Sequence, residues 1–161
     1  MRRWFSGERL WVAALLPALA LSCGWLGTRE AKPKDLHIQQ RWAGDFPLAD
    51  LDRLPEGQRQ SRIGYLGDTG AFTQLWQVLK PGTPVPALDF SKNIVVFARN
   101  VDLYRRTLIA KVTLTRGVAE IIDVGTESES PLEDKVAMAL ALIPRAGLEF
   151  IQRGKERIPV R

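Results

Sequence analysis

His37 is the only histidine in this chain and Cys23 the only cysteine, which narrows the available chemistry at once. A Ser-His-Asp relay would have to run through His37, and no Gly-x-Ser-x-Gly elbow accompanies it. His37 therefore reads as a solvated or strand-edge histidine. A zinc centre draws on several His or Cys ligands, so no metal site of that kind is expected. Carboxylates are the remaining resource: Asp123, Glu127, Glu129, Glu133 and Asp134 fall within one short stretch. Calcium takes roughly six to eight oxygens, often from such a loop, and paired acids can hydrolyse glycosides. The 123–134 region is thus the alternative location for a small-ligand, calcium or hydrolytic site. It lacks EF-hand spacing, and acid- and serine-rich links between strands ordinarily serve as solvated turns. Gly64, Gly67 and Gly70 precede a helix at a spacing of three, without the G-x-G-x-x-G order or the lysine of a phosphate-binding loop. They read as turn glycines. No catalytic residue and no cofactor is expected.

Cations are more suggestive. Arg99, Arg105, Arg106, Lys111 and Arg116 lie along one stretch with Tyr104 among them, a combination suited to anionic headgroups or an acidic protein face. Arg99, Tyr104, Arg105, Arg106 and Lys111 are the candidate partner-binding residues. The whole chain carries a formal charge of +5 in 161 residues. Residues 1–22 contain Arg2, Arg3 and Arg9 against Glu8 alone, so the chain without them carries +3. That is too modest for the basic footprint of a nucleic-acid binder, and no nucleic acid is expected as a partner.

The N-terminus has the layout of an export signal: a basic start, an apolar run from Leu10 to Leu21, then Ser22-Cys23-Gly24. The apolar run is shorter than the ~20 residues of a bilayer-spanning helix. Leu19-Ala20-Leu21-Ser22-Cys23 resembles the lipobox of bacterial lipoproteins. The resemblance implies cleavage before Cys23 and a diacylglyceryl group on its thiol, with a further amide-linked chain usual on the new N-terminus. More than one acyl chain is what stable anchoring requires. It also consumes the one thiol that an oxidising compartment would endanger. Gly24, where an aspartate tends to retain lipoproteins in the inner membrane, leans toward an outer-membrane address facing the periplasm. The expected organisation is a signal over 1–22, a lipidated tether over 23–35 and one domain over 36–161.

The elements that must position these residues begin with one helix. Phe72, Leu75, Trp76 and Leu79 fall at i, i+3, i+4, i+7, one face of a 3.6-residue repeat. Asp68 or Thr69 can cap it and Pro81-Gly82 stops it. Leu36, Ile38 and Trp42 suggest an opening strand, Asp45 to Gln60 is turn-rich, and a short strand follows near Ile63 to Leu66. Asn93 to Ala98 reads as a buried strand. Thr107 to Thr115 alternates, with Leu108, Ala110, Val112 and Leu114 expected on one side. Arg116-Gly117 then turns into a returning strand, Val118 to Val124. Val136 to Ile143 suits helix or strand and is assigned as strand. A last hairpin, Gly147–Gln152 and Glu156–Val160, turns at Arg153-Gly154. The sum is an α+β domain, mostly antiparallel and sandwich-like, with its main helix near 70–80.

From Ala71 to Val160 the order of these features resembles the C-terminal domain of the PrcB family, named for a subunit of a bacterial surface protease complex. The resembling residues are Phe72-Thr-Gln-Leu-Trp76, then Pro86-Ala-Leu-Asp89-Phe90-Ser91 leading into Ile94-Val-Val-Phe97, and Ile143-Pro144-Arg145 late in the chain. The glycine-rich turn ending in an aromatic that the family has after this strand is replaced here by Arg99-Asn-Val-Asp-Leu-Tyr104. The resemblance implies a non-catalytic envelope module that docks or stabilises a protein partner. Cys23→Ala is expected to move the protein from the membrane fraction to the soluble fraction. An unchanged membrane fraction would refute lipidation at Cys23.

Overall fold

A computed structural model of the chain describes residues 31–100, 104–127 and 134–161. Nine strands and one α-helix are described there. In chain order they are β1 (Lys34–Asp35), β2 (Gln40–Pro47), β3 (Ile63–Leu66), α1 (Thr69–Leu79), β4 (Asn93–Asn100), β5 (Tyr104–Thr115), β6 (Val118–Glu127), β7 (Lys135–Pro144), β8 (Phe150–Arg153) and β9 (Glu156–Pro159). They form a four-stranded sheet ordered β2-β7-β4-β3 and a five-stranded sheet ordered β1-β5-β6-β8-β9. All pairs are antiparallel except β6–β8, which run parallel. The domain is α+β and sandwich-like, as the sequence patterning predicts.

The four-stranded sheet lies between α1 and the five-stranded sheet, and its two faces carry different residues. Toward the helix, Phe46, Leu66, Val95, Phe97, Val136, Met138, Leu140 and Leu142 meet Phe72, Leu75, Trp76 and Leu79. Toward the second sheet, Ile63, Ile94, Val96, Ala98, Ala139, Ala141 and Ile143 meet Ile109, Val112, Ala119, Ile121 and Ile151. Because both of its faces are covered, β7 reads as an unbroken apolar run rather than an alternating one. This is why the sequence of Val136–Ile143 suits a helix as well as the strand assigned to it. Successive side chains of a strand point to opposite faces, so Ala139, Ala141 and Ile143 of β7 face the second sheet and Val136, Met138, Leu140 and Leu142 face the helix.

α1 begins where Asp68 Oδ1 accepts from the Ala71 amide at 2.8 Å, an N-cap bond. It ends before Pro81-Gly82, where Gly82 adopts φ +73°. Its aromatic face forms a cluster with β2 and the β3–β4 region. Trp42, Phe72 and Trp76 have ring centroids 5.5–5.7 Å apart, and Phe90 lies 5.9 Å from Phe72. The Trp76 indole donates to the Thr83 carbonyl at 3.1 Å, which satisfies its one polar atom.

Several expectations need correction. The opening segment is split between the sheets: β1 pairs with β5, while β2 pairs with β7 along its whole length. Lys34 and Asp35, read from sequence as the end of the tether, are thus paired residues. β2 continues through Asp45 to Pro47, so the turn-rich stretch starts only there, as two short 3₁₀ segments (Leu48–Arg53 and Glu56–Gln58). The alternation of β5 is broken by a bulge between Ile109 and Lys111. One extra residue reverses the facing of everything beyond it. Ile109 and Val112 are buried, whereas Leu108 and Ala110 are exposed.

Gly64 is not a turn glycine. It lies inside β3, and a Cβ there would stand 2.1 Å from Gln58 Oε1 and 2.2 Å from Phe97 Cζ. Gln58 cannot yield easily, because its Oε1 accepts from the Tyr65 amide at 2.6 Å. Gly64→Ala is expected to destabilise the domain by about 3 kcal/mol through overpacking. Gly57→Ala, with open space around the new methyl, should stay within about 0.5 kcal/mol. Urea denaturation of the two variants distinguishes these outcomes.

Candidate functional site

The five-stranded sheet has one face against the core and one toward solvent, and the outward face of β5–β6 is unusually apolar. Leu108 is 42% exposed, Ile122 44% and Val124 53%. The register places Leu108 opposite Val124 and Lys111 opposite Ile122, with Arg106 opposite Thr126. Residues directly opposite in an antiparallel pair share a face, so the three aliphatic side chains stand together between the two cations. The bulge is what puts Leu108 on this face.

Beside this surface the two sheets meet at the edge of β2. The Arg41 guanidinium donates through Nε to the Ile109 carbonyl at 3.0 Å and through Nη2 to the Ala110 carbonyl at 3.1 Å. It therefore holds the bulged part of β5. Beyond that bridge lies a cleft of about 660 Å³, walled by Ala43, Gly44 and Asp45 of β2 and by Arg106, Thr107 and Leu108 of β5, with Val124 to Thr126 completing it. Asp45 accepts from Lys135 Nζ at 2.8 Å. That bond, more than the charge attraction alone, raises the Lys135 pKa above its ordinary 10.5. The contribution is complete at neutral pH and is lost only as pH rises through the raised value. The Asp134 charge also bears on Lys135, and Arg106 is the one cation among the residues that line the cleft.

The expected partner-binding residues do not all lie here. Arg106 and Lys111 are exposed on the β5 surface, and Lys111 Nζ is 3.0 Å from Asp35. The side chains of Tyr104 and Arg105 lie outside the described residues. Arg99 is a correction: it is only 3% exposed. It sits on the helix-facing side of β4, where its guanidinium donates to the Ser61 carbonyl and, at 2.8 Å, to the Arg59 carbonyl. Burial pushes its pKa down, and the Glu156 charge opposes that shift. Arg99 is buried and fastens the segment before β3. Arg116 occupies the β5–β6 turn at φ +48° beside Gly117 at φ +79°, the left-handed pair that a tight hairpin favours.

The acidic region is dispersed. Asp123 turns inward, its side chain 7% exposed, and accepts from Arg153 Nε at 2.7 Å and Nη2 at 2.9 Å. Asn100 Nδ2 donates to Asp123 Oδ2 at 3.1 Å and to Thr107 Oγ1 at 2.8 Å, and Arg153 also donates to Asn100 Oδ1. This network ties β4, β5, β6 and β8 together at one end of the sandwich. Glu127 and Asp134 are exposed, while Glu129 and Glu133 lie outside the described residues, as does Cys23. Among the described residues, no three His, Cys, Asp or Glu side chains gather as metal ligands. His37 is exposed between β1 and β2. A second depression, of about 450 Å³, borders the start of α1 near Arg59, Tyr65 and Arg145. There Arg145 donates to the Arg161 carbonyl and Tyr65 Oη accepts from the Arg161 amide.

The outward aliphatic face and the β2-edge cleft are what sequence reading missed. The unexplained signal was Leu108 itself, an aliphatic residue in phase with core positions only if β5 is regular. Comparison of the chain with protein-family models, with curated proteins and with solved structures finds no match. No helix among the described residues is long and apolar enough to cross a membrane.

Removing one partner of the Asp123–Arg153 pair leaves a charge without its counter-ion. Asp123→Asn is expected to cost about 3 kcal/mol, and Asp123→Asn with Arg153→Met less than the sum of the single changes. Arg106→Glu, on the surface, should change stability by less than about 0.5 kcal/mol. Equilibrium denaturation with a double-mutant cycle measures all three.

Proposed function

We propose that this chain is a lipid-anchored bacterial envelope protein whose domain works by binding another envelope protein, without catalysis of its own. The observation that carries this reading is the outward face of β5–β6. Leu108, Ile122 and Val124 are exposed side by side, flanked by Arg106 and Lys111. A contiguous apolar patch with a polar rim is the ordinary mark of an interaction surface, and Arg106, which has no carboxylate partner among the described residues, favours an acidic group at that corner. The lipobox resemblance at Cys23 supplies the membrane attachment, and Gly24 favours the outer membrane. The resemblance to the PrcB C-terminal domain over residues 71–160 points to the same class of role.

The alternative, a small-ligand, calcium or hydrolytic site in the 123–134 region, has less support. Its best-placed carboxylate, Asp123, is committed to Arg153.

The test is capture of the lipidated protein in mild detergent followed by mass spectrometry of what accompanies it. Leu108→Asp with Val124→Asp is expected to lower recovery of the accompanying protein at least tenfold while leaving the membrane fraction unchanged. Arg106→Glu with Lys111→Glu should act in the same direction. Recovery unaffected by either double variant would overturn this surface as the binding face.

A further inference from the structure

The cleft beside Arg41 is bounded by two strand edges, and this gives it a more specific use than an apolar patch has. β2 is the outermost strand of its sheet, and among the described residues its one ladder is with β7. β5 is covered by β1 only at Thr113 and Leu114, with one further bond from the Leu36 amide to the Val112 carbonyl. Along residues 106–108, β5 has no strand on that side among the described residues. Arg41 takes the carbonyls of Ile109 and Ala110, and the cleft opens where those bonds end. Each wall therefore offers about three residues of backbone, ~10 Å of extended chain at ~3.3 Å per residue.

An unpaired strand edge is a template for another extended chain, and strand addition draws affinity from main-chain bonds and selectivity from alternate side chains. We propose that the β2 edge at Ala43–Asp45 accepts a short extended segment of the partner protein as an added strand, and that this segment is acidic. β2 is the accepting edge because among the described residues it is open along its length, whereas on β5 Arg41 and β1 take up much of the edge between Ile109 and Leu114 and leave only residues 106–108. The acidic preference follows from the charges in the cleft. Asp45 is engaged by Lys135, and Arg106, the one cation lining the cleft, has no carboxylate partner among the described residues. The segment's alternate side chains rest on Leu108 and Val124, which line the same cleft. This deepens the protein-binding reading and rests on it.

The experiment uses the full-length lipidated protein in detergent and two amidated peptides, Ser-Glu-Val-Glu-Val-Glu-Ser and the same peptide with lysine in place of glutamate. Fluorescence anisotropy measures affinity, and hydrogen exchange read by mass spectrometry locates the contact. The acidic peptide is expected to bind at least tenfold more tightly than the lysine peptide and to slow exchange in segments covering 40–47 and 106–108. Arg106→Glu, checked for an unchanged melting temperature, should reverse the preference. Equal affinity for the two peptides, no binding of either, or protection confined to other strands overturns the proposal. So does self-association in sedimentation equilibrium that Arg106→Glu abolishes, since a second copy would then occupy the edge. Binding to phosphatidylglycerol vesicles through this cleft, lost in Arg106→Glu, overturns it as well. If partner recovery depends on Leu108 and Val124 while β2 gains no protection, strand addition fails and the protein-binding reading stands.

Discussion

β4 and β7 have no side facing water, and the rest of the domain is arranged around that condition. Two adjacent strands whose residues are buried along both faces need a cover on each side. The cover on one side is α1 with its aromatic cluster, and on the other the five-stranded sheet. The two covers make different demands. A helix stands off from a sheet far enough to need Phe97, Met138 and Leu140 to fill the gap, whereas Ala98, Ala139 and Ala141 let the second sheet approach. Gly64 carries the same logic to its limit, because Phe97 and Gln58 occupy the space where its side chain would be.

Within this apolar frame, arginines serve as fasteners. Arg99 gathers the carbonyls of Arg59 and Ser61, Arg153 clamps Asp123 and Asn100, and Arg41 holds the carbonyls of the β5 bulge. A guanidinium presents several donors in a fixed planar fork, so one side chain can satisfy groups from two segments at once. With no cysteine beyond Cys23 in the chain, these bonds and the core perform the work that disulfides perform in many small exported domains. A positive charge count alone would have assigned all of these residues to the surface. In the β4–β5 region Arg99 is structural in this way, whereas Arg106 and Lys111 are exposed.

The bulge in β5 links the frame to the surface proposed to act. It sets Leu108 out of phase with Val112, so that Leu108 stands outward with Val124 and Ile122. The same irregularity leaves carbonyls that Arg41 takes up, and so sets where the cleft begins. An exposed apolar face and an unpaired strand edge are both features that folded domains ordinarily suppress. Here they adjoin one another.

Local pattern determined much of this protein. The α1 face at Phe72, Leu75, Trp76 and Leu79, its Asp68 cap, the Arg116-Gly117 turn and the strands at 93–98 and 118–124 are all set by residues within a few positions of one another, whereas 136–143, whose local pattern suits a helix as well, is a strand by virtue of its two covers. The layout around Cys23, and with it the expectation of a lipid anchor, is equally a matter of contiguous residues. Tertiary structure decided which sheet each strand joined, the parallel pairing of β6 with β8, the inward turn of Arg99 and Asp123, and the outward turn of Leu108. None of these is a property of a short window. A strand's partner depends on residues tens of positions away, and a charged side chain is buried only where distant carbonyls or a counter-ion await it. One inserted residue in a ladder moves every later side chain to the other face. Periodicity reports which residues seek a core. Only the assembled sheets decide which of them are left facing water.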